Sequence, residues 1–281
     1  MKSAFLKDDE LLADIENVQP SAERFNLWWL GQSGFLVHYL GSYFLFDPYL
    51  SDSLTKKYEQ TDKPHTRVTE CVIDPARLTM VAHVTSSHNH TDHLDAETLI
   101  SLARVNPNLS LILPAPNLEF AKSRLLGTEI NYVPLDEHSV VQLGQWKIYG
   151  VTAAHNDVVR NEQGQSLYLG FVLKFGPFAI YHSGDTLWHE TLVPELIHHH
   201  VDVALVPING NKPERRVAGN LNPSEAACLA KAIGARLAVP HHYDMFEFNT
   251  ADPAEFAAAC ESVRQSYRIL RNGERLDFPQ E

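Results

Sequence analysis

Short apolar runs punctuated by glycine mark the first strand-rich region of the chain. NLWWLGQSGFLVHYLGSYFLFD, residues 26 to 47, predicts two or three short strands rich in aromatic and branched side chains. The polar stretch DSLTKKYEQTDKPHTR over 52–67 predicts an exposed loop, and LTMVAHVTSS a strand after it. Over 94–105 apolar positions recur at helical spacing, with Leu99, Ile100 and Leu102 on one face and Asp95 placed to cap the start. LSLILPAP then reads as a strand, PNLEFAKSRLLG as a helix ended by Gly127, and INYVPL as the next strand. From Val140 to Asp185 the pattern predicts consecutive antiparallel strands, with turns at Gly144, Gly164 and Gly176. Strand 201–209, helix 223–235, strand 236–242, helix 252–265 and a final hairpin complete the chain.

Strand-rich and mixed segments thus occur in two successive halves. That order predicts an α/β (α+β) fold in which two β-sheets pack face to face with helices outside. With 281 residues, 44% of them hydrophobic, the chain can bury a large core, and residues 1–281 are expected to form one domain. The formal net charge of -12 argues against a nucleic-acid partner, because such proteins carry basic stripes. Cys71, Cys228 and Cys260 are widely spaced and odd in number, which indicates neither a disulfide framework nor a thiolate zinc site. The N-terminal segment has no signal-peptide core, and no apolar run is long enough to span a membrane, so the cytoplasm is the simplest compartment.

Chemistry concentrates at His88-Asn89-His90-Thr91-Asp92-His93, an HxHxDH pattern. With 15 His in the chain, chance would place this pattern in roughly 2 of 1,000 such sequences. Three imidazoles and a carboxylate in six residues suit a binuclear metal site. Four side chains cannot hold two divalent ions, so further ligands are expected at other strand ends. His155 closes KIYGVTAAH, Asp185 follows Gly184 in YHSGDT, and the pair His241-His242 closes AVPHH. Each alone reads more often as a surface or turn residue. Their joint order changes those odds.

The series HxHxDH, His, Asp, His resembles the ligand series of the metallo-β-lactamase fold superfamily, from Leu27 to about His242. The resemblance implies a four-layer αββα sandwich with the site at one edge. It assigns His88, His90 and His155 to one metal, Asp92, His93 and His242 to the other, and Asp185 to a bridge between them. It gives Asp47 the part of orienting that shell, and it favours His242 over His241 as ligand. Within the superfamily, WLGQSGFLV, DPYLSDS, VPINGN, GNLNPSEAA and PHHYDMF are similar to segments of the L-ascorbate-6-phosphate lactonase family. Those relatives are longer and carry an arginine after the NG, where this chain has Asn211. Asn209, Lys212, Arg215 and Arg216 are therefore the candidates for substrate contact, with Lys56, Lys57 and Tyr58 of lower weight.

Nitrogen and oxygen ligands suit zinc, manganese or iron about equally, and the resemblance favours manganese. Two such cations lower the pKa of a shared water, so no side-chain nucleophile is required, and none of the GxSxG or Cys/His type is evident. Asp92 would orient the nucleophile or move its proton. The expected function is a lactonase acting on a sugar lactone such as L-ascorbate 6-phosphate, with a metal-dependent phosphodiesterase as the alternative. A non-catalytic scaffold is disfavoured because all seven ligand positions are filled. The expected partner is a small molecule, phosphorylated or not, and a homo-oligomer stays open.

Overall fold

The computed structural model describes residues 1–279. Strands β1 (Phe25–Gly31), β2 (Gly34–Tyr39) and β3 (Ser42–Phe46) form an antiparallel meander. Strands β4 (Val81–Thr85), β5 (Ser110–Pro114) and β6 (Asn131–Leu135) extend it in parallel, and the last strand, β13 (Arg275–Phe278), pairs with β1. The second sheet runs β12 (Leu237–His241), β11 (Val203–Pro207), β10 (Phe178–His182), β9 (Leu169–Phe175), β8 (Trp146–Thr152) and β7 (Val140–Leu143).

Side-chain alternation explains why the first sheet buries apolar residues on both of its faces. On β1, Phe25, Leu27 and Trp29 enter the core between the sheets, while Trp28 and Leu30 face the opposite way. Phe44 and Phe46 on β3 point inward and Leu45 outward. A sheet buried on both faces needs cover on both. The outer cover comes from α1 (Asp8–Glu16) through Leu11 and Ile15, α3 (Ala96–Val105) through Leu99 and Leu102, and α4 (Leu118–Arg124) through Ala121. Between α1 and α3 the short α2 (Ser53–Tyr58) sits beside the site. On the far sheet, α5 (Leu192–Leu196), α6 (Pro223–Ala232) and α7 (Pro253–Val263) supply Leu192, Leu229 and Phe256 to the core. The order helix, sheet, sheet, helix is the four-layer α/β sandwich expected.

The helix at 94–105 begins where the cap predicted, since Asp95 accepts a hydrogen bond from the Thr98 amide. Two expectations need correction. The polar stretch 52–67 contains α2, because Ser53–Tyr58 can bury Leu54. The final hairpin is a single strand, because Arg275–Phe278 finds its partner in β1 instead of in its own neighbour. The acidic N-terminal segment, on which the sequence carried no reading of secondary structure, is helical, with its acids in the first turn, where the helix dipole favours them. Cys71, Cys228 and Cys260 are all free thiols. Among the described residues no helix is long and apolar enough to cross a membrane.

Candidate metal centre

Five strands deliver the site from their carboxyl-terminal ends, where side chains leave the hydrogen-bond ladder and face a crevice. Asp47 follows β3, residues 86–93 follow β4, His155 lies just beyond β8, Asp185 just beyond β10, and His242 directly after β12. Asp47 ties the first two together. Its fully buried carboxylate accepts from Thr85 Oγ1 at 2.6 Å and from the Ser87 amide, and lies 2.8 Å from His93 Nδ1. Gly184 brings Asp185 close: a Cβ there would sit 2.6 Å from Ser87 Cβ and 2.9 Å from the Leu169 carbonyl oxygen, on a backbone at φ +58.

The seven residues singled out from sequence come together. His88, His90 and His155 offer ligand atoms that all lie within 4.8 Å of one another, and so do Asp92, His93 and His242. A third such group joins His88 and His93 to Asp185. The carboxylate of Asp185 reaches toward both ends, with Oδ1 3.3 Å from His93 Nε2 and Oδ2 3.4 Å from His242 Nε2 and 3.8 Å from His155 Nε2. His155 Nδ1 lies 3.2 Å from the Gly219 carbonyl oxygen, to which it donates, so Nε2, 3.1 Å from His90 Nδ1, is the nitrogen that carries the lone pair.

Satisfaction of polar atoms tests whether these residues fit cations. His88 Nε2, His93 Nε2 and Asp185 Oδ1 are buried and have no hydrogen-bond partner. Such an atom costs on the order of 1–3 kcal/mol each when left unpaired. An all-nitrogen-and-oxygen set converging on one point is what a divalent cation satisfies. Electrostatics agree. Burial holds the imidazoles of His88 and His90 below their ordinary range and that of His155 down to about 4, so all three are neutral at pH 7 with lone pairs available. Burial also opposes charge on Asp185, but His242 and His93 beside it hold the carboxyl well below the usual carboxylate range. His93 is the exception among the imidazoles. Burial lowers it, yet Asp185, Asp92 and Asp47 around it prevail and raise it well above its ordinary value.

Above this floor opens a cavity of about 370 Å³. One wall is aromatic: His65 stacks on Tyr58 with ring centroids 4.1 Å apart and meets the edges of Phe246 and Phe248. Lys57, Arg124 and Arg216 also line it, and its carboxylates are Asp92 and Asp185. Of the sequence-derived substrate candidates, Arg216 lines the cavity, paired to Asp62 at 2.6 Å. Lys57 and Tyr58 line it as well, whereas Lys56 turns to Glu97. Asn209 and Arg215 do not line it. Asn209 is buried and bonded to Asn249 and Asn220, and Arg215 donates to Asn249 Oδ1 and the Thr250 carbonyl, so both are spent on holding their loop. Lys212 is exposed and outside the cavity. His241 points away from His242, stacked on His182 and bonded to Ser33 Oγ.

Sequence reasoning missed Gln32, whose amide reaches Asp92, and the aromatic wall. A polar residue between two glycines in an otherwise apolar run was the available signal for Gln32. His65, Phe246 and Phe248 had none, because only the fold brings the two loops together.

A family model described as "Beta-lactamase superfamily domain" matches residues 42–243. The chain belongs to this family. The matched span holds all seven of the clustered His and Asp residues. A UPF0173 metal-dependent hydrolase of Pyrobaculum aerophilum is 29% identical over 252 residues, 88% of this chain and 97% of the relative. Another, of Rubrobacter xylanophilus, is 29% identical over 249 residues, 84% of this chain and 89% of the relative. Among solved structures, a metallo hydrolase of the archaeon Ignicoccus hospitalis superposes with TM-score 0.67 at 20% identity, covering 92% of this chain and all 100% of the other. An isothiocyanate hydrolase from Delia radicum gut bacteria gives TM-score 0.70 at 18% identity, covering 89% and 98%. At those identities the likeness is one of fold, and it is that of the metallo-β-lactamase superfamily.

Proposed function

We propose that this superfamily member is a metal-dependent hydrolase, and that it opens the ring of a sugar lactone carrying an anionic group, L-ascorbate 6-phosphate being the model compound. The hydrolase reading rests on one observation: three buried ligand-type atoms, His88 Nε2, His93 Nε2 and Asp185 Oδ1, converge at the floor of an open cavity with no hydrogen-bond partner, the last two facing each other across 3.3 Å. Two divalent cations, manganese favoured and zinc or iron chemically suited, would supply an activated water at neutral pH and polarise the carbonyl under attack. His88, His90 and His155 would hold one, Asp92, His93 and His242 the other, and Asp185 both.

The protein's own groups supply the rest. Asp92 is 15% exposed on the cavity floor, and its carboxyl is held below the usual range by His93 and His242 against the effect of burial. It is ionised at pH 7 and accepts or steers the proton of the attacking water. A volume near 370 Å³ has room for one monosaccharide-sized ring, at the small end of ligand cavities. Apart from Asp92 and Asp185, assigned here to metal, the charged side chains lining it are Lys57, Arg124, which donates to the Asn89 and Leu94 carbonyls, and Arg216, which is paired to Asp62. That balance selects an anion in a protein that is acidic overall. The segment likeness to the ascorbate-phosphate lactonases supports the lactone.

The same basic wall suits a phosphodiester, which keeps a phosphodiesterase as the second reading. Turnover of the manganese-loaded protein on sugar lactones, with and without phosphate, and on bis(p-nitrophenyl) phosphate separates the two. Lactone opening that Asp92→Asn abolishes is expected. Vigorous turnover of the phosphodiester alone would overturn the lactonase.

A further inference from the structure

The turn between β1 and β2 carries a buried amide that the ligand series does not use. Gln32 is fully buried, sits between Gly31 and Ser33, and takes a left-handed backbone at φ +49. Gln has no special ease in that conformation, whose cost is on the order of 1–3 kcal/mol. Its carbonyl oxygen is held from two sides, by the Trp29 indole at 3.0 Å and by the backbone amide of His242 at 3.2 Å. The turn is thus fastened to the segment that presents His242. The side chain crosses the same gap: Nε2 donates to Asp92 Oδ2 at 2.7 Å and lies 3.0 Å from His242 Nε2, while Oε1 is buried without a partner. An amide nitrogen only donates, so His242 Nε2 accepts there with the lone pair that a cation would need.

We propose that Gln32 is a positioning residue for the cation held by Asp92, His93 and His242. The inference rests on that reading of the trio. Without Gln32, Asp92 Oδ2 has only imidazoles at 3.7 and 3.8 Å, His93 and His242, and no short hydrogen bond to fix its plane. The amide pins Oδ2, the Asp92 oxygen that also faces the two imidazoles, and so sets the direction from which the carboxylate would meet a cation. With a cation bound, His242 Nε2 would leave the amide for the ion, and the bond from Gln32 to Asp92 would remain. The amide therefore spans two members of the trio Asp92, His93 and His242 and none of the trio His88, His90 and His155, so its loss acts on one binding event of two.

Cobalt(II) and manganese(II) titrations of the full chain, with chelator competition and the visible spectrum of each cobalt equivalent, test this. The variant is Gln32→Met, similar in length but without a donor, and Gln32→Asn is the second, an amide one methylene too short to span both ligands. Wild type is expected to take two equivalents. Both variants are expected to weaken one equivalent by about 10–100-fold and alter its cobalt spectrum, leave the other unchanged, and lower kcat with little change in KM. Unchanged affinity for both equivalents overturns the proposal. So does equal weakening of both, which marks a turn that merely loosens the whole floor. Wild type taking a single equivalent overturns the reading of the trio itself, and is told apart because it needs no variant. The melting curve of each metal-free variant shows that it folds, and Gln32→Asn decides alone if Gln32→Met does not.

Discussion

Two polar clusters flank the end of β8, and they are built on opposite principles. Around Glu137 every demand is met: its carboxylate accepts from Arg160 through Nε at 2.6 Å and Nη2 at 3.0 Å, from Thr152 Oγ1 at 2.8 Å and from Ser166 Oγ at 2.7 Å. Burial would raise its carboxyl, but Arg160, Ser166 and Thr152 prevail and hold it at about 2. Three residues beyond Thr152, at His155, begins the other cluster, where His88, His93 and Asp185 leave buried atoms unpaired. Three non-glycine residues there, Gln32, Asp47 and His242, hold left-handed backbone at φ +49, +32 and +64. A satisfied network closes on itself and stabilises the fold; an unsatisfied, strained one is completed by something that binds. What sets this cluster apart from isolated unpaired atoms such as those of His83 and His199 is that its unpaired atoms are of ligand type and lie together.

Four experiments bear on that contrast, from the largest effect to the smallest. Asp185→Asn removes the carboxylate that touches both trios, and is expected to reduce hydrolysis roughly 10³-fold or more, with lower metal content by elemental analysis. An active variant with full metal content would erase the distinction. Chelation of bound metal is expected to lower the melting temperature by roughly 10 °C, since a ligand at 1,000 times its dissociation constant contributes about 4 kcal/mol. Differential scanning calorimetry reads the shift, and an unchanged melt would show that the unpaired atoms need no cation.

Glu137→Gln should act on stability alone, by about 1–3 kcal/mol at pH 7, with metal affinity untouched. Its pKa is depressed in the folded state, so its contribution is full above the ordinary 4.5 and is lost as pH falls toward about 2. Urea melts of variant and wild type should therefore converge across that window; a gap that persists at pH 2 would contradict the assignment. Lys57→Ala and Arg216→Ala are expected to raise KM for an anionic substrate by several-fold each, without a change in metal content or melting, because exposed charges contribute little to stability. Equal KM for neutral and anionic substrates would remove the basic wall from recognition.

Much of this could be read from residues in order. The Asp95 cap, the strand–helix alternation from β4 to β6 and the antiparallel run β7 to β10 all follow from local periodicity, and the His/Asp cluster from the density of HxHxDH with its three distant partners. What sequence could not show depends on contacts made across the fold. Arg215 reads as a free cation, but its donors are taken by Asn249 and the Thr250 carbonyl, more than thirty residues on. His65 reads as loop, but faces Phe246 and Phe248 from the other side of the cavity. The fate of the last strand was equally hidden, since β13 pairs with β1 across nearly the whole chain.

Anomalous diffraction from crystals of the manganese-loaded protein tests the central claim most directly. Two peaks about 3.5–4 Å apart are predicted, one against His88, His90 and His155, the other against Asp92, His93 and His242, with Asp185 between them. A fully loaded crystal with no peak at this cluster would contradict the account.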